Sequence, residues 1–145
     1  MKPAAALPLL ILLCGITAKF VALTLVQAAR RTKTRSFRWP EDAAHWGGRV
    51  VASDEDPLCR RAQAALRNDG ESQCYFLAAA GIWIWLGANP TSAFLLCSTY
   101  LALRVLHSAF LVWPRQPLRN RIFGSSLLCL FIVLGDCVRL IVSAL

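Results

Sequence analysis

Apolar residues along this 145-residue chain occur in long blocks, the pattern of helices that cross a membrane. The longest run without a charged residue covers residues 72–103 and is divided by Gly87-Ala88-Asn89-Pro90, residue types that form turns. A helix needs about 20 apolar residues to cross a bilayer, so the second helix must begin before residue 72, in the polar stretch near Arg60 or Arg67. We therefore predict an all-α integral membrane four-helix bundle, with spans at about residues 4–29, 68–87, 91–113 and 122–145.

Composition agrees with this pattern. The chain is 57% hydrophobic with a mean hydropathy of +0.50, which is too apolar for a soluble domain of this size. Its length suits a single domain over residues 1–145. The first apolar block could instead be a signal peptide, but it is long, carries Lys19 in its middle and lacks a small-x-small cleavage site before Arg30.

Basic residues predict the orientation. They concentrate in the segment between the first two spans and in residues 114–121, whereas the turn at residues 87–92 has none. Both basic segments lie on one side of a four-span protein, and the positive-inside rule places them in the cytosol with both termini lumenal. We expect the endoplasmic reticulum membrane, with the outer mitochondrial membrane as an alternative. The net charge of +8 needs no nucleic-acid partner, because it suits the orientation and anionic lipid headgroups.

The six cysteines show no C-x-x-C motif and no histidine at metal-ligand spacing. We interpret them as small apolar residues with free thiols, and we predict no metal site.

Polar residues near the cytosolic helix ends are candidates for a binding site. Arg67, Asn68 and Glu71 can share one face at the start of the second span. The third and fourth spans add further polar or aromatic positions, and Arg31 closes the first. A small anionic or zwitterionic ligand would suit this layer, since guanidinium groups bind carboxylates with two hydrogen bonds. The added positions are Arg104, His107, Arg119, Asn120 and Phe123.

Each of these positions also has a structural interpretation. Arginines at span ends serve as membrane anchors, and a histidine on an apolar helix is usually a packed hydrogen-bonding residue. Asp136 and Arg139 are three residues apart and are expected to neutralise each other. Arg104 is harder to explain this way, because ionisable residues inside spans are costly and face a polar interior.

Five motifs in order resemble the MAPEG family, the membrane-associated proteins of eicosanoid and glutathione metabolism. The similarity runs from about Lys19 to the end and is closest to the branch of microsomal glutathione transferase and microsomal prostaglandin E synthase. The motifs are Pro40-Glu41-Asp42, Arg67-Asn68-Asp69-Gly70-Glu71, Gly87-Ala88-Asn89-Pro90, Arg104-Val105-Leu106-His107 and Gln116-Pro117-Leu118-Arg119.

The resemblance implies a homotrimer of four-span subunits with glutathione bound between neighbours near the cytosolic side. By motif position, Arg119 would stand closest to the sulfur, with Asn120 and Asp42 as further catalytic residues and Arg104 in support. The residues implied to hold the tripeptide are Arg31, Arg67, Asn68, Glu71, His107 and Arg119.

Three departures concern hydroxyl groups. Where the synthase has a serine after its catalytic arginine this chain has Asn120, and Phe110 and Phe123 occupy two tyrosine positions. The resemblance therefore favours a glutathione transferase or peroxidase that acts on lipophilic electrophiles. Prostaglandin E synthase is the alternative within the family, and a non-catalytic lipid-binding adaptor is the alternative outside enzyme chemistry.

Overall fold

The computed structural model describes residues 3–51 and 56–145, with side chains from residue 6 onward in these ranges. The elements follow one another with short connections, and four of the five helices are long, which confirms the all-α prediction. They are α1 (Pro3–Thr34), β1 (Ser36–Phe37), α2 (Pro40–Trp46), β2 (Arg49–Val50), α3 (Pro57–Trp85), α4 (Pro90–Val112) and α5 (Gln116–Ser143).

Proline and a capping side chain define where α3 and α4 begin. Pro57 and Pro90 occupy the first helical position, where the missing N–H costs nothing. Asp56 Oδ1 accepts hydrogen bonds from the N–H groups of Leu58 and Cys59, both at 3.0 Å. Asn89 caps α4 in the same way. The predicted early start of the second long helix and the predicted turn before the third are both confirmed.

Within the described residues, three helices are long and apolar enough to cross a membrane, namely α1 from Ala6 to Thr34, α4 and α5. The first half of α3 is too polar to meet that criterion, so the four-span count stays a prediction. However, α3 lies beside α1 for much of its length. Asp56 contacts Arg30 at one end, Asp69 contacts Lys19 midway, and Phe76 shares a buried cluster with Leu12. The two helices therefore lie side by side from Asp56, which caps α3, to Phe76.

Two buried clusters hold the bundle together. The larger joins all four long helices through small and aromatic side chains, and it includes Phe76 stacked on Tyr100 with ring centroids 3.6 Å apart. The smaller, around Ala62, Ala65 and Val112, lies near the C-terminal ends of α1 and α4. Cys59, Cys97, Cys129 and Cys137 are buried among these helices. They pack as the small apolar residues that the sequence predicted.

Many large apolar side chains of α1 and α5 point outward, as expected for helices solvated by lipid. Leu10, Leu25, Phe131 and Val142 are each more than half exposed. A soluble protein would not expose apolar surface on this scale.

The segment between α1 and α3 contains structure that the sequence did not predict. The short strands β1 and β2 pair in parallel and frame α2. Gly47 ends α2 with φ 63°, and a Cβ at Gly48 would come within 2.6 Å of the Arg35 carbonyl oxygen. The two glycines thus allow the chain to pass closely over the end of α1.

Candidate functional site

A buried cluster of three charged side chains joins α1, α3 and α4. Asp69 on α3 forms ion pairs with Lys19 Nζ and with Arg104 Nη2, both at 2.8 Å. All three side chains are at least nine-tenths buried. Buried charges persist only when they are paired and hydrogen-bonded. The Asp69 carboxylate pairs with both Lys19 and Arg104 and thereby links α3 to α1 and α4.

This cluster contains two cations and one carboxylate, so it carries a formal charge of +1. Arg104 Nε and Nη1 have no hydrogen-bond partner in the described chain, and neither does His107 Nδ1. Uncompensated positive charge in a low-dielectric layer is costly, and a nearby anion would lower that cost.

A pocket of about 360 Å³ lies next to the cluster, between α3, α4 and α5. Arg104 Nη2 donates a hydrogen bond to Asn68 Oδ1 at 2.5 Å, which leaves the Asn68 amide nitrogen as the group that can donate into the pocket. The Phe123 ring lies 5.6 Å from the His107 ring and 5.9 Å from Arg104 Cζ, measured to its centroid. The lining residues are Ala64, Asn68, His107, Leu111, Arg119, Asn120 and Phe123.

The pocket brings together five of the residues predicted from the sequence, namely Asn68, His107, Arg119, Asn120 and Phe123. Arg119 Nη2 donates to Gln116 Oε1 at 2.9 Å, the one hydrogen bond that its side chain makes in the described chain. Most of the guanidinium donors are therefore available to a ligand. The pocket has both the donors and the size to accept one arm of an anionic peptide-like molecule.

The other residues that the sequence predicted for the site do not line this pocket. Arg67 and Glu71 are exposed on α3 beside it, and neither forms an ion pair within the described residues. Asp42 is exposed on α2, and Arg31 and Phe110 are half-buried on α1 and α4. Within one chain the predicted residues are therefore divided between the pocket and positions outside it, and Arg67 and Glu71, next to Asn68 on α3, form the open rim of the pocket.

Sequence reasoning missed the role of Asp69. It named Asp69 only as part of the motif from Arg67 to Glu71, and it assigned Lys19 no partner. A signal was present, because the predicted first and third spans each carry one cation, Lys19 and Arg104, and the second carries two carboxylates near its start. Pairing charges between spans would have predicted a buried ion-pair cluster, but not which of the two carboxylates belongs to it.

At the opposite end of the bundle, Asp136 accepts hydrogen bonds from Arg139 Nε at 2.6 Å and from the buried Trp83 Nε1 at 2.7 Å. The predicted mutual neutralisation of Asp136 and Arg139 is confirmed. Trp83 was not predicted as a partner, because it lies 53 residues away along the chain.

Comparison with known proteins finds a matching family and several relatives. A family model described as the MAPEG family matches residues 7–139. The chain is 33% identical over 112 residues to "Prostaglandin E synthase" of Homo sapiens, covering 75% of this chain and 73% of that protein. The corresponding protein of Rattus norvegicus is 31% identical over 108 residues, covering 73% and 70%.

Proposed function

Because the chain belongs to the MAPEG family, we propose that it is a multi-pass membrane enzyme that binds glutathione and applies its thiol to lipophilic electrophiles. The pocket between α3, α4 and α5 is the proposed site. Three apolar helices support the membrane setting. The endoplasmic reticulum, lumenal termini and four spans remain part of this proposal.

One observation carries the proposal. The pocket that collects Asn68, His107 and Arg119 lies against a buried cluster with a formal charge of +1. Glutathione has two carboxylates and a thiol that ionises, so it supplies the negative charge that this arrangement lacks. The available donors of Arg119, Asn68 and Asn120 fit such a ligand.

Arg119 is the proposed catalytic residue. Bound glutathione would supply a sulfur nucleophile, which is reactive as the anion. A guanidinium beside sulfur favours that anion, and each unit of lowered pKa corresponds to about 1.4 kcal/mol. The Asn120 amide adds a neutral donor next to it. Phe123, whose ring is tilted by 46° to the His107 ring, forms an apolar part of the pocket wall.

The open rim supports assembly as part of the same proposal. Arg67, Glu71 and Asp42 are charged and exposed, and none of them lines the pocket. A neighbouring copy of the chain would bring Arg31 or Asp42 across the opening. We therefore propose a homotrimer in which glutathione lies between subunits.

A second candidate activity is isomerisation of a prostaglandin endoperoxide, favoured by the similarity to prostaglandin E synthases. Asn120, Phe110 and Phe123 weigh against it, because this chain lacks hydroxyl groups at those positions. Transferase or peroxidase chemistry needs the sulfur anion and an open apolar site, so it is the first candidate.

The test uses the full chain purified in detergent. Calorimetry measures glutathione binding, and separate assays follow turnover of an aryl halide, a lipid hydroperoxide and a prostaglandin endoperoxide. We expect binding and turnover of at least one of the first two substrates. A protein that binds no glutathione at millimolar concentration would refute the proposal and would favour the adaptor interpretation.

Native mass spectrometry of the same preparation tests the assembly, with three chains as the expected mass. A monomer that still binds glutathione would contradict a site shared between subunits. The double variant Asn120→Ser with Phe123→Tyr separates the two activities. It should raise endoperoxide turnover relative to aryl-halide turnover if the missing hydroxyls limit isomerisation.

A further inference from the structure

A second pocket, of about 390 Å³, lies at the other end of the bundle, where α3 ends, α4 begins and α5 ends. It is lined by Trp83, Asn89, Ser92, Leu96, Ile132, Gly135, Asp136 and Arg139. The glutathione proposal uses none of these residues.

The polar groups of this pocket are mainly hydrogen-bond donors. Arg139 uses Nε for Asp136, so its two terminal nitrogens remain available. Asn89 uses Oδ1 to cap α4, so its amide nitrogen remains available. The Ser92 hydroxyl adds a third donor. Asp136, by contrast, already accepts hydrogen bonds on both oxygens, from Arg139 and Trp83.

Polar residues of the pocket lie at the end of the bundle and apolar residues lie deeper, in the same order as the headgroup and acyl chains of a phospholipid. Leu96 lies one helical turn further into the bundle than Ser92, and Ile132 one turn further in than Asp136. The donors thus lie at the helix ends, and the apolar residues lie toward the middle of the bundle. Trp85 is 77% exposed at this same end, as expected for an aromatic residue at a lipid–water boundary.

We propose that this pocket binds the phosphodiester headgroup of a membrane phospholipid, with Arg139, Asn89 and Ser92 as donors and the upper part of an acyl chain against Leu96 and Ile132. Trp83 is buried, and its hydrogen bond fixes Asp136, which in turn orients Arg139. The first turn of α4 adds a dipole that favours an anion. The Asp136–Arg139 pair is formally neutral, so recognition depends on directed donors rather than on net charge.

Asn89→Asp is the decisive variant. Aspartate caps a helix as well as asparagine does, so α4 should keep its start. The amide donor is replaced by a carboxylate, which repels phosphate. Arg139→Gln removes the charge and the forked donors. Arg121→Gln, an exposed arginine near the beginning of α5, is the matched control.

Delipidated protein in detergent is titrated with phosphatidylcholine, with diacylglycerol and with inorganic phosphate, and native mass spectrometry counts bound molecules. We expect saturable phosphatidylcholine binding, weakened about tenfold or more in both pocket variants and unchanged in Arg121→Gln. Equal binding of diacylglycerol would overturn the headgroup site. So would displacement by inorganic phosphate alone, or wild-type phosphatidylcholine binding by Asn89→Asp. Glutathione calorimetry on the same samples keeps this result separate from the proposed function.

Discussion

The buried cluster and the rim of the neighbouring pocket are both rich in charge, but they differ in how the charge is satisfied. Asp69 has two cationic partners within hydrogen-bond distance inside one chain. Arg67 and Glu71, two residues away on the same helix, have no ion-pair partner in the described chain. The cluster therefore serves folding, whereas the rim charges are available for a ligand or a neighbouring subunit.

The largest effect should come from removing the carboxylate of the cluster. Asp69→Asn leaves Lys19 and Arg104 buried without a counter-charge, and breaking a buried ion pair in this way costs about 3–5 kcal/mol. We expect thermal unfolding in detergent to shift strongly downward. Glu71→Gln makes the same change of charge on an exposed side chain and should leave stability nearly unchanged.

A double variant sharpens that result. Lys19→Met added to Asp69→Asn returns the cluster to a single excess charge, so part of the stability should return. If Asp69→Asn and Glu71→Gln shift the unfolding temperature equally, the proposed division between scaffold and rim is wrong.

The next effect should be on chemistry without a change of fold. Arg119 is half-buried and bonded only to Gln116 in the described chain, so Arg119→Ala should unfold like the wild type. If its guanidinium stabilises the sulfur anion, turnover should fall by about 10²–10³-fold, the usual loss for one such donor. Glutathione affinity should change much less.

Arg119→Lys should recover part of the turnover, because it keeps the charge but not the planar fork. Arg121→Ala is the control, two residues along the same helix and exposed. The pH dependence of sulfur-anion absorbance in single turnover is the direct measurement. If the pH dependence of this absorbance is the same in Arg119→Ala as in the wild type, Arg119 serves only as a membrane anchor.

A smaller effect is expected at the rim. Arg67→Ala or Glu71→Gln should weaken glutathione binding by about tenfold, which corresponds to about 1.4 kcal/mol, because each would contact one charged end of the tripeptide. Turnover at saturating glutathione should stay close to the wild-type value, and so should stability. Calorimetry and initial rates at several glutathione concentrations separate the two quantities. Loss of stability in either variant would place that residue in the scaffold.

The smallest effect concerns the ion pair between Arg30 on α1 and Asp56, the capping residue of α3. The hydrogen bond from Arg30, at 2.6 Å, together with the backbone N–H of Cys59, holds the pKa of the Asp56 carboxyl below its usual range. A lowered pKa in the folded state means that the stabilisation is present above the unfolded pKa of about 3.9 and is lost as pH falls through the lower value.

Asp56→Asn should therefore be slightly less stable than the wild type at pH 7, and the difference should shrink below about pH 4. Asparagine still caps α3, so only the ion pair is lost. Thermal unfolding at several pH values measures the difference, and Glu41→Gln on the exposed face of α2 is the control. A difference that grows toward low pH would have the wrong sign for this ion pair.

The sequence alone determined the helical class, the turn before α4 and the family. Long apolar blocks and the residue pair Asn89-Pro90 depend on local chemistry, which periodicity and capping rules describe directly. The sequence also placed Asn68, His107, Arg119, Asn120 and Phe123 in one site through a resemblance, and the structure brings these five together.

Tertiary structure decided which charged residues form buried ion pairs within the fold. Asp69 and Glu71 are both acidic residues on α3, and no local property tells which one meets Lys19 and Arg104, residues 50 and 35 positions away along the chain. The rotation and the depth of α1 and α4 against α3 select Asp69. The pairing of Trp83 with Asp136 arises in the same way, because packing between distant helices is a property of the assembled bundle.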